Sequence, residues 1–319
     1  MFPREQTQAL VEGALFASLT AILSLVFIYI PVISIFALVS PMPTAVLVKK
    51  YNVKIALFSL ITAFLITLLF FGNPLAALII TLEAGILGLV TGLLLKKSIS
   101  MGLSIIIVST GSLFLTIISF LITFFITGSN PFNINSEINQ ATAELLQFYQ
   151  NRGLLSGFSQ NEIVELRKSL INTVYLFLPG FFIISSFVSG SINYLLTREL
   201  FKRLKYEVVN LKPFSHLQFP WYSIWSIILG IACLLIGDNL HISFLSKVSK
   251  NILFIAIFPF SVLGLAVVVF YIKKFNLSRI VKFFIAFIFI INGYLTIVFL
   301  LMLGILDPYF NFRKLTVKK

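Results

Sequence analysis

Apolar residues do not alternate with polar ones at period two anywhere in this chain for long. They run instead in blocks of about twenty, each closed by Lys, Arg, Pro, Gly or Asn. A block of that length crosses the ~30 Å hydrocarbon layer as a helix, and lipid forces the helix because it offers no water to backbone groups. Nine blocks qualify as candidate spans: 10–30, 32–48, 55–71, 75–95, 103–127, 173–196, 221–237, 252–272 and 283–306. The second is the weakest, since Pro41 and Pro43 interrupt it and proline removes a backbone donor and bends a helix. The expected fold is all-α, a polytopic transmembrane bundle of eight or nine helices.

Segment 128–170 breaks the rhythm. Ile138, Ala141, Leu145, Phe148 and Tyr149 share one helical face, and Gly153 follows as a stop. Ser159 and Glu162 then form a capping box ahead of Ile163, Leu166 and Leu170. Two amphipathic helices are expected here, the second leading into the sixth span. Either they lid a cavity or they rest on the lipid surface.

Composition agrees with the pattern: 59% of residues are hydrophobic and 11% charged, against about 25% charged in soluble domains. The net charge of +13 resides in short loops, at 49–54, 96–97, 198–212 and 273–282. That is the positive-inside pattern of a membrane protein rather than the basic face of a nucleic-acid binder. It places the chain in a cell membrane as a multi-pass protein, with the N-terminus cytoplasmic and 128–170 outside. The tail "NFRKLTVKK" objects: after nine crossings its four cations end outside. The N-terminal block carries mixed charges and no small-residue cleavage site, so it reads as a retained helix. Cys233 lies alone in an apolar run and pairs with nothing.

Polar and small residues supply the candidate chemistry. Ala9, Gly13, Ala17 and Ala21 fall every fourth position, a slim stripe along which another backbone can approach closely. Either a neighbour in the same bundle or a separate subunit fills it. Gly88 and Gly92, with Ala84 before them, form a second such face suited to internal packing. Glu83 sits about eight residues, roughly 12 Å, into its span, where a carboxylate is expensive: either it marks a functional site, or it is a structural hydrogen-bond partner for a neighbouring helix. Asn73 and Asn172 stand at the outer ends of their spans and join Glu83 as candidate ligand-binding residues. Glu12, near the cytoplasmic end, reads as structural, reaching headgroups or Arg4.

No catalytic set is present. "GLLLKKS" lacks the glycine that a phosphate loop needs before its Lys-Ser pair, and no His, Cys, Asp or Glu cluster has metal-ligand spacing. No cofactor and no catalytic residue are expected, and the chain reads as a non-enzyme. Its partners are the lipid bilayer and an unknown small metabolite, with no nucleic acid. The rival readings are a membrane scaffold acting through the basic loop 198–212 and, last, an enzyme on a lipid-linked substrate.

"EGALFASLTAI", "PMP" at 41–43, "EAG" at 83–85 and "LKPFSHLQFPWYSIW" at 211–225 resemble the YybS-like family of bacterial integral membrane proteins. The N-terminal part is in turn similar to the substrate-binding (S) components of energy-coupling-factor transporters. That resemblance implies a six-helix core over 1–198, followed by a second region, 199–319, of a basic loop and two or three further helices. It also implies an outward-facing pocket and a transmembrane coupling subunit with ATPases docked on the face of Ala17 and Ala21, which Ala9 and Gly13 extend.

Overall fold

A computed structural model describes residues 4–30, 36–128, 134–211 and 213–315. Among them every regular element is helical. Eight helices are long and apolar enough to cross a membrane: Gln6–Val26, Val53–Phe71, Pro74–Lys96, Met101–Thr127, Gln160–Arg203, Trp221–Asn239, Ser243–Lys274 and Gly293–Phe310. The chain divides into two compact units, Met1–Asn135 with Ser185–Asn210, and Ser136–Ile184 with Leu211–Lys319. The division falls inside one long helix and groups segment 136–184 with the C-terminal helices, whereas the sequence places a single boundary after residue 198.

In the first unit α1 (Arg4–Tyr29) and α4 (Val53–Phe71) run parallel. Gly13 lies against Ile55 at one end, and the Tyr29 hydroxyl donates to the Phe70 carbonyl at the other. Parallel neighbours require a return path between them. The expected second span provides it, but not as one helix. It is broken into α2 (Phe36–Val39) and α3 (Met42–Lys50). Pro41 caps α3 and Pro43 occupies its first turn, where a missing N–H costs nothing. Lys50 finishes beside Glu12, about 25 Å along α1 from Tyr29. Broken backbone at that depth persists only where protein covers it, and Ala45, Leu47 and Val48 of α3 are fully buried.

The α5 helix (Pro74–Lys96) begins at the Tyr29 end, and Lys96 returns to Val48 and Tyr51. Next comes α6 (Met101–Thr127), and the unit closes with the second half of α8 (Gln160–Arg203). Tyr194 and Phe201 of α8 are the largest side chains in its core and are completely enclosed.

The second unit contains α7 (Asn135–Asn151), the first half of α8, and α9 (Trp225–Asn239), α10 (Ser243–Lys274), α11 (Arg279–Ile291) and α12 (Gly293–Phe310). The face that α7 buries is Ile138, Thr142 and Leu146, one position round from the expected face. Ala141, Leu145, Phe148 and Tyr149 are exposed, with Arg152 resting on the Phe148 ring. Gly153 ends the segment at a left-handed φ of +71°. The capping box forms: Glu162 accepts from the Ser159 backbone N–H at 2.7 Å, and the Ser159 hydroxyl accepts from Glu162 N–H at 3.4 Å.

The last expected span is also divided. Its chain breaks at Asn292 into α11, which buries none of its residues, and α12. Helices α10 and α12 run parallel in backbone contact: a Cβ on Gly264 would strike the Leu300 carbonyl, and one on Gly304 the Phe260 carbonyl. Residues 275–292 are therefore the return stroke, and α11 covers about 20 Å of it. The Tyr271 hydroxyl bonds the Phe312 carbonyl at 2.9 Å, so the start of the tail, residues 311–315, lies at the same end of the unit as Lys273 and Lys274; the tail's last two lysines lie outside the described residues.

Candidate functional site

The small-residue stripe of α1 is filled from within the chain. Ala17 and Ala21 have no exposed surface and pack against Ala63 of α4. Gly13 is buried, and a Cβ there would lie 3.3 Å from the Ile55 side chain. Ala9 is also buried. Beside the stripe, Glu12 takes Lys50 at 2.5 Å as its partner, with Gln8 donating to it as well; the Arg4 side chain lies outside the described residues. That contact staples the end of α3 to α1. Hydrogen bonding to Glu12 holds the Lys50 ammonium above its usual range.

Gly88 and Gly92 form a bed for α3. Side chains there would collide with the Pro41 carbonyl and with Ala45. The break between α2 and α3 frees the Leu38 carbonyl, and Asn193 of α8, 1% exposed, meets it with its Nδ2 at 3.0 Å. The Oδ1 of the same amide accepts from Thr91 at 3.1 Å. One side chain thus ties α8, α5 and the broken pass together. Lysines and arginines finish the job at the helix ends. Lys96 donates to Val48 and Tyr51 carbonyls, Lys49 to that of Glu207, and Arg198, 6% exposed, gives two bonds to Val209. The charges that set the positive-inside pattern are in these cases helix C-caps and loop clamps.

Glu83 is half-buried on α5, and its carboxylate accepts from the Ser119 hydroxyl of α6 at 2.9 Å. Asn73 caps α5, its Oδ1 accepting from Ala76 N–H at 3.1 Å. Asn73, at the N-terminal cap of α5, and Glu83 both belong to the first unit, ten residues apart, and Asn172 belongs to α8 in the second unit.

Asn172 lines an open groove of about 1260 Å³ in the second unit. One wall is the first half of α8, and the other is the bend where α9 turns into α10. The walls are locked by Asn251 of α10. Pro179 disrupts α8, and Asn251 inserts into the helix there: its Oδ1 accepts from Gly180 N–H at 3.0 Å and its Nδ2 donates to the Leu176 carbonyl at 2.8 Å. The amide thus engages a backbone donor and a backbone acceptor on either side of Pro179. Phe254 seals the contact between Phe177 and Phe181, and Gly180 leaves room for its ring. At the opposite end of the unit Arg313 is completely buried. It pairs with Asp307 at 2.6 Å and donates to the carbonyls of Ser215 (2.7 Å) and Leu217 (2.6 Å). Residues 215–217 of the motif-bearing stretch are pinned in this way by Arg313.

Sequence reasoning passed over Asn251 and Arg313. The first looks like the polar edge of an apolar run, and the second like one more cation in a basic tail. Among the described residues no group of His, Cys, Asp and Glu is placed to hold a metal ion.

Comparison with known proteins agrees with this architecture. The profile of a family described as "Predicted membrane protein (DUF2232)" matches residues 18–308. The "Uncharacterized protein YybS" of Bacillus subtilis (strain 168) is 26% identical over 320 residues, covering 97% of this chain and 98% of the relative. No solved structure matches. A helical, multi-pass chain matched over nearly its whole length by that profile belongs to the DUF2232 family of membrane proteins.

Proposed function

We propose that this protein is a small-molecule-binding component of the cell membrane, its N-terminus cytoplasmic, with Glu83 as the ligand-facing acid of the first unit. The supporting observation is energetic. A carboxylate at mid-bilayer costs about 2.5–3.5 kcal/mol. An interhelical hydrogen bond such as that from Ser119 offsets roughly 0.6–1.7 kcal/mol. The remainder is a cost without structural return, and a ligand's cationic or hydrogen-bond-donating group supplies the missing partner.

The finer part of the reading follows the resemblance to S components. The first unit receives the metabolite, and a transmembrane coupling subunit with ATPases drives its passage, since the sequence carries no nucleotide loop. The ligand drives the cycle only through different affinities for two states of the protein. With α4 seated on Gly13, Ala17 and Ala21, a docked subunit on that face would require α1 and α4 to part.

The test is thermal unfolding of the detergent-purified chain across a panel of amine-bearing and neutral metabolites. A ligand at a hundred times its Kd adds ~2.7 kcal/mol, or roughly 5–10 °C, to the wild type and nothing to Glu83→Gln. If no compound shifts the wild type, or if Glu83→Gln responds equally, the binding reading falls. Native mass spectrometry of gently extracted complexes tests the transport half, which fails if ATPase subunits are absent.

A further inference from the structure

The groove of the second unit shares no residue with the Glu83 region, and its lining has a distinct chemistry. Leu176, Pro179 and Ile183 from α8 face Ile252 and Ile255 from α10 across its apolar depth. Lys247, Lys250, His241, Ser243 and Asn172 line it as well, with Asp238 the carboxylate among them. Asp238, His241 and Ser243 belong to the bend between α9 and α10, Lys247 and Lys250 to the first turns of α10, and Asn172 to α8, whereas the apolar residues lie further along α8 and α10. Lys247 and Lys250 are three apart and so share one face of α10, immediately before the unbroken apolar run that starts at Ile252. Neither ammonium has an ion-pair partner among the described residues.

From this arrangement we infer that the groove is a binding site for an anionic amphiphile, a phosphate-bearing lipid with its chain along the apolar walls and its phosphate between Lys247 and Lys250. Four observations favour that occupant over a soluble anion or a purely apolar molecule. The apolar depth and the cationic lip lie in the order in which a lipid presents chain and headgroup. Unpaired cations at the edge of a span attract anionic headgroups. The volume, about 1260 Å³, exceeds the 300–1000 Å³ range usual for drug-sized ligands. The walls are also pre-formed, because Asn251 bonds α8 to α10 and Gly237 lets the two arms of the bend close onto Ser246. A shallow depression carrying Glu165, Lys168, Ser169 and Thr173 continues from it through Asn172 and Leu176, which gives a larger headgroup further polar contacts.

Full-length protein in phosphatidylcholine nanodiscs doped with phosphatidylglycerol tests the inference. The readout is the number of phosphatidylglycerol molecules retained when the nanodisc is stripped in a native mass spectrometer. Wild-type chain retains one. The double variant Lys247→Gln/Lys250→Gln, at exposed and half-exposed positions, lowers the affinity about 30-fold, and each single change about five-fold. Lys247→Arg/Lys250→Arg retains the lipid, and so does Lys273→Gln/Lys274→Gln at the basic end. Ile252→Trp, which fills the groove and leaves every charge in place, also abolishes retention. Inorganic phosphate at 10 mM separates the two possible sources of the anion, and it displaces little lipid when the chain contributes to binding.

Equal retention in the 247/250 and 273/274 variants would make the lipid a nonspecific annulus and overturn the site. So would a wild type that keeps none. Full displacement by inorganic phosphate would reduce the groove to an anion site and overturn the amphiphile. These outcomes are independent of Glu83, whose variant keeps its lipid in either case.

Discussion

Replacing Arg313 by methionine gives the sharpest test of how the second unit is held together. Arg313 and Asp307 are each about 4% exposed, and the guanidinium makes two bonds to the carboxylate and two to the carbonyls of residues 215 and 217. Methionine keeps the unbranched stem of the side chain and removes every donor. Breaking one half of a buried ion pair costs about 3–5 kcal/mol, chiefly because the other charge stays buried without compensation. At about 2–4 °C per kcal/mol for a chain of 150–250 residues, melting drops by at least ~6 °C. The diagnostic step is the second substitution. Asp307→Asn on top of Arg313→Met removes the stranded charge and leaves only two carbonyls short of donors, a deficit of about 2 kcal/mol at ~1 kcal/mol each. The double variant is therefore more stable than Arg313→Met by roughly 1–3 kcal/mol. Melting followed by size-exclusion chromatography in mild detergent reads all three proteins. The reasoning is refuted if Arg313→Met melts within 2 °C of wild type, or if the double variant melts below the single.

Three further variants test helix contacts. Gly264→Ala places a methyl in the Leu300 backbone, so α10 and α12 must separate, and the same melting assay shows a loss of several degrees. Gly111→Ala, where nothing lies within 4 Å, is neutral or gains up to about 1 kcal/mol from helix propensity, and a loss as large as that at Gly264 would show that packing is not the cause. Ala17→Leu with Ala21→Leu destabilises the isolated chain, because both sites are closed against Ala63; an unchanged melting point together with lost co-purification of another subunit would instead mark the stripe as a docking face.

The helical spans were legible because the rule behind them is local. Lipid leaves a backbone no partner except itself, so any sufficiently long apolar run must coil. The capping box at Ser159 and Glu162 was legible for the same reason, since both partners lie within one turn. The breaks were half legible. Pro41 and Pro43 warned of one, but nothing local shows that the chain still returns across the unit in two pieces, because that follows from α1 and α4 lying parallel. At Asn292 the sequence offers one polar residue inside an apolar run, and only the parallel seating of α10 and α12 turns it into the corner of a return stroke.

The candidate site divides in the same way. The sequence by itself determined that this is an all-helical membrane chain with a slim stripe on its first helix and an acid at membrane depth, since composition, spacing and distance along a helix suffice for each. Tertiary structure alone decided that α4 fills the stripe, that Asn193 meets the broken pass, that Asn251 grips the α8 backbone beside Pro179, and that Arg313 is a buried clamp. Small residues, amides and arginines are permissive groups. A smooth helix face accepts many neighbours, and a long polar side chain has many partners within reach. The choice among them is made by contacts between residues far apart in sequence, so it becomes visible only when the helices are placed.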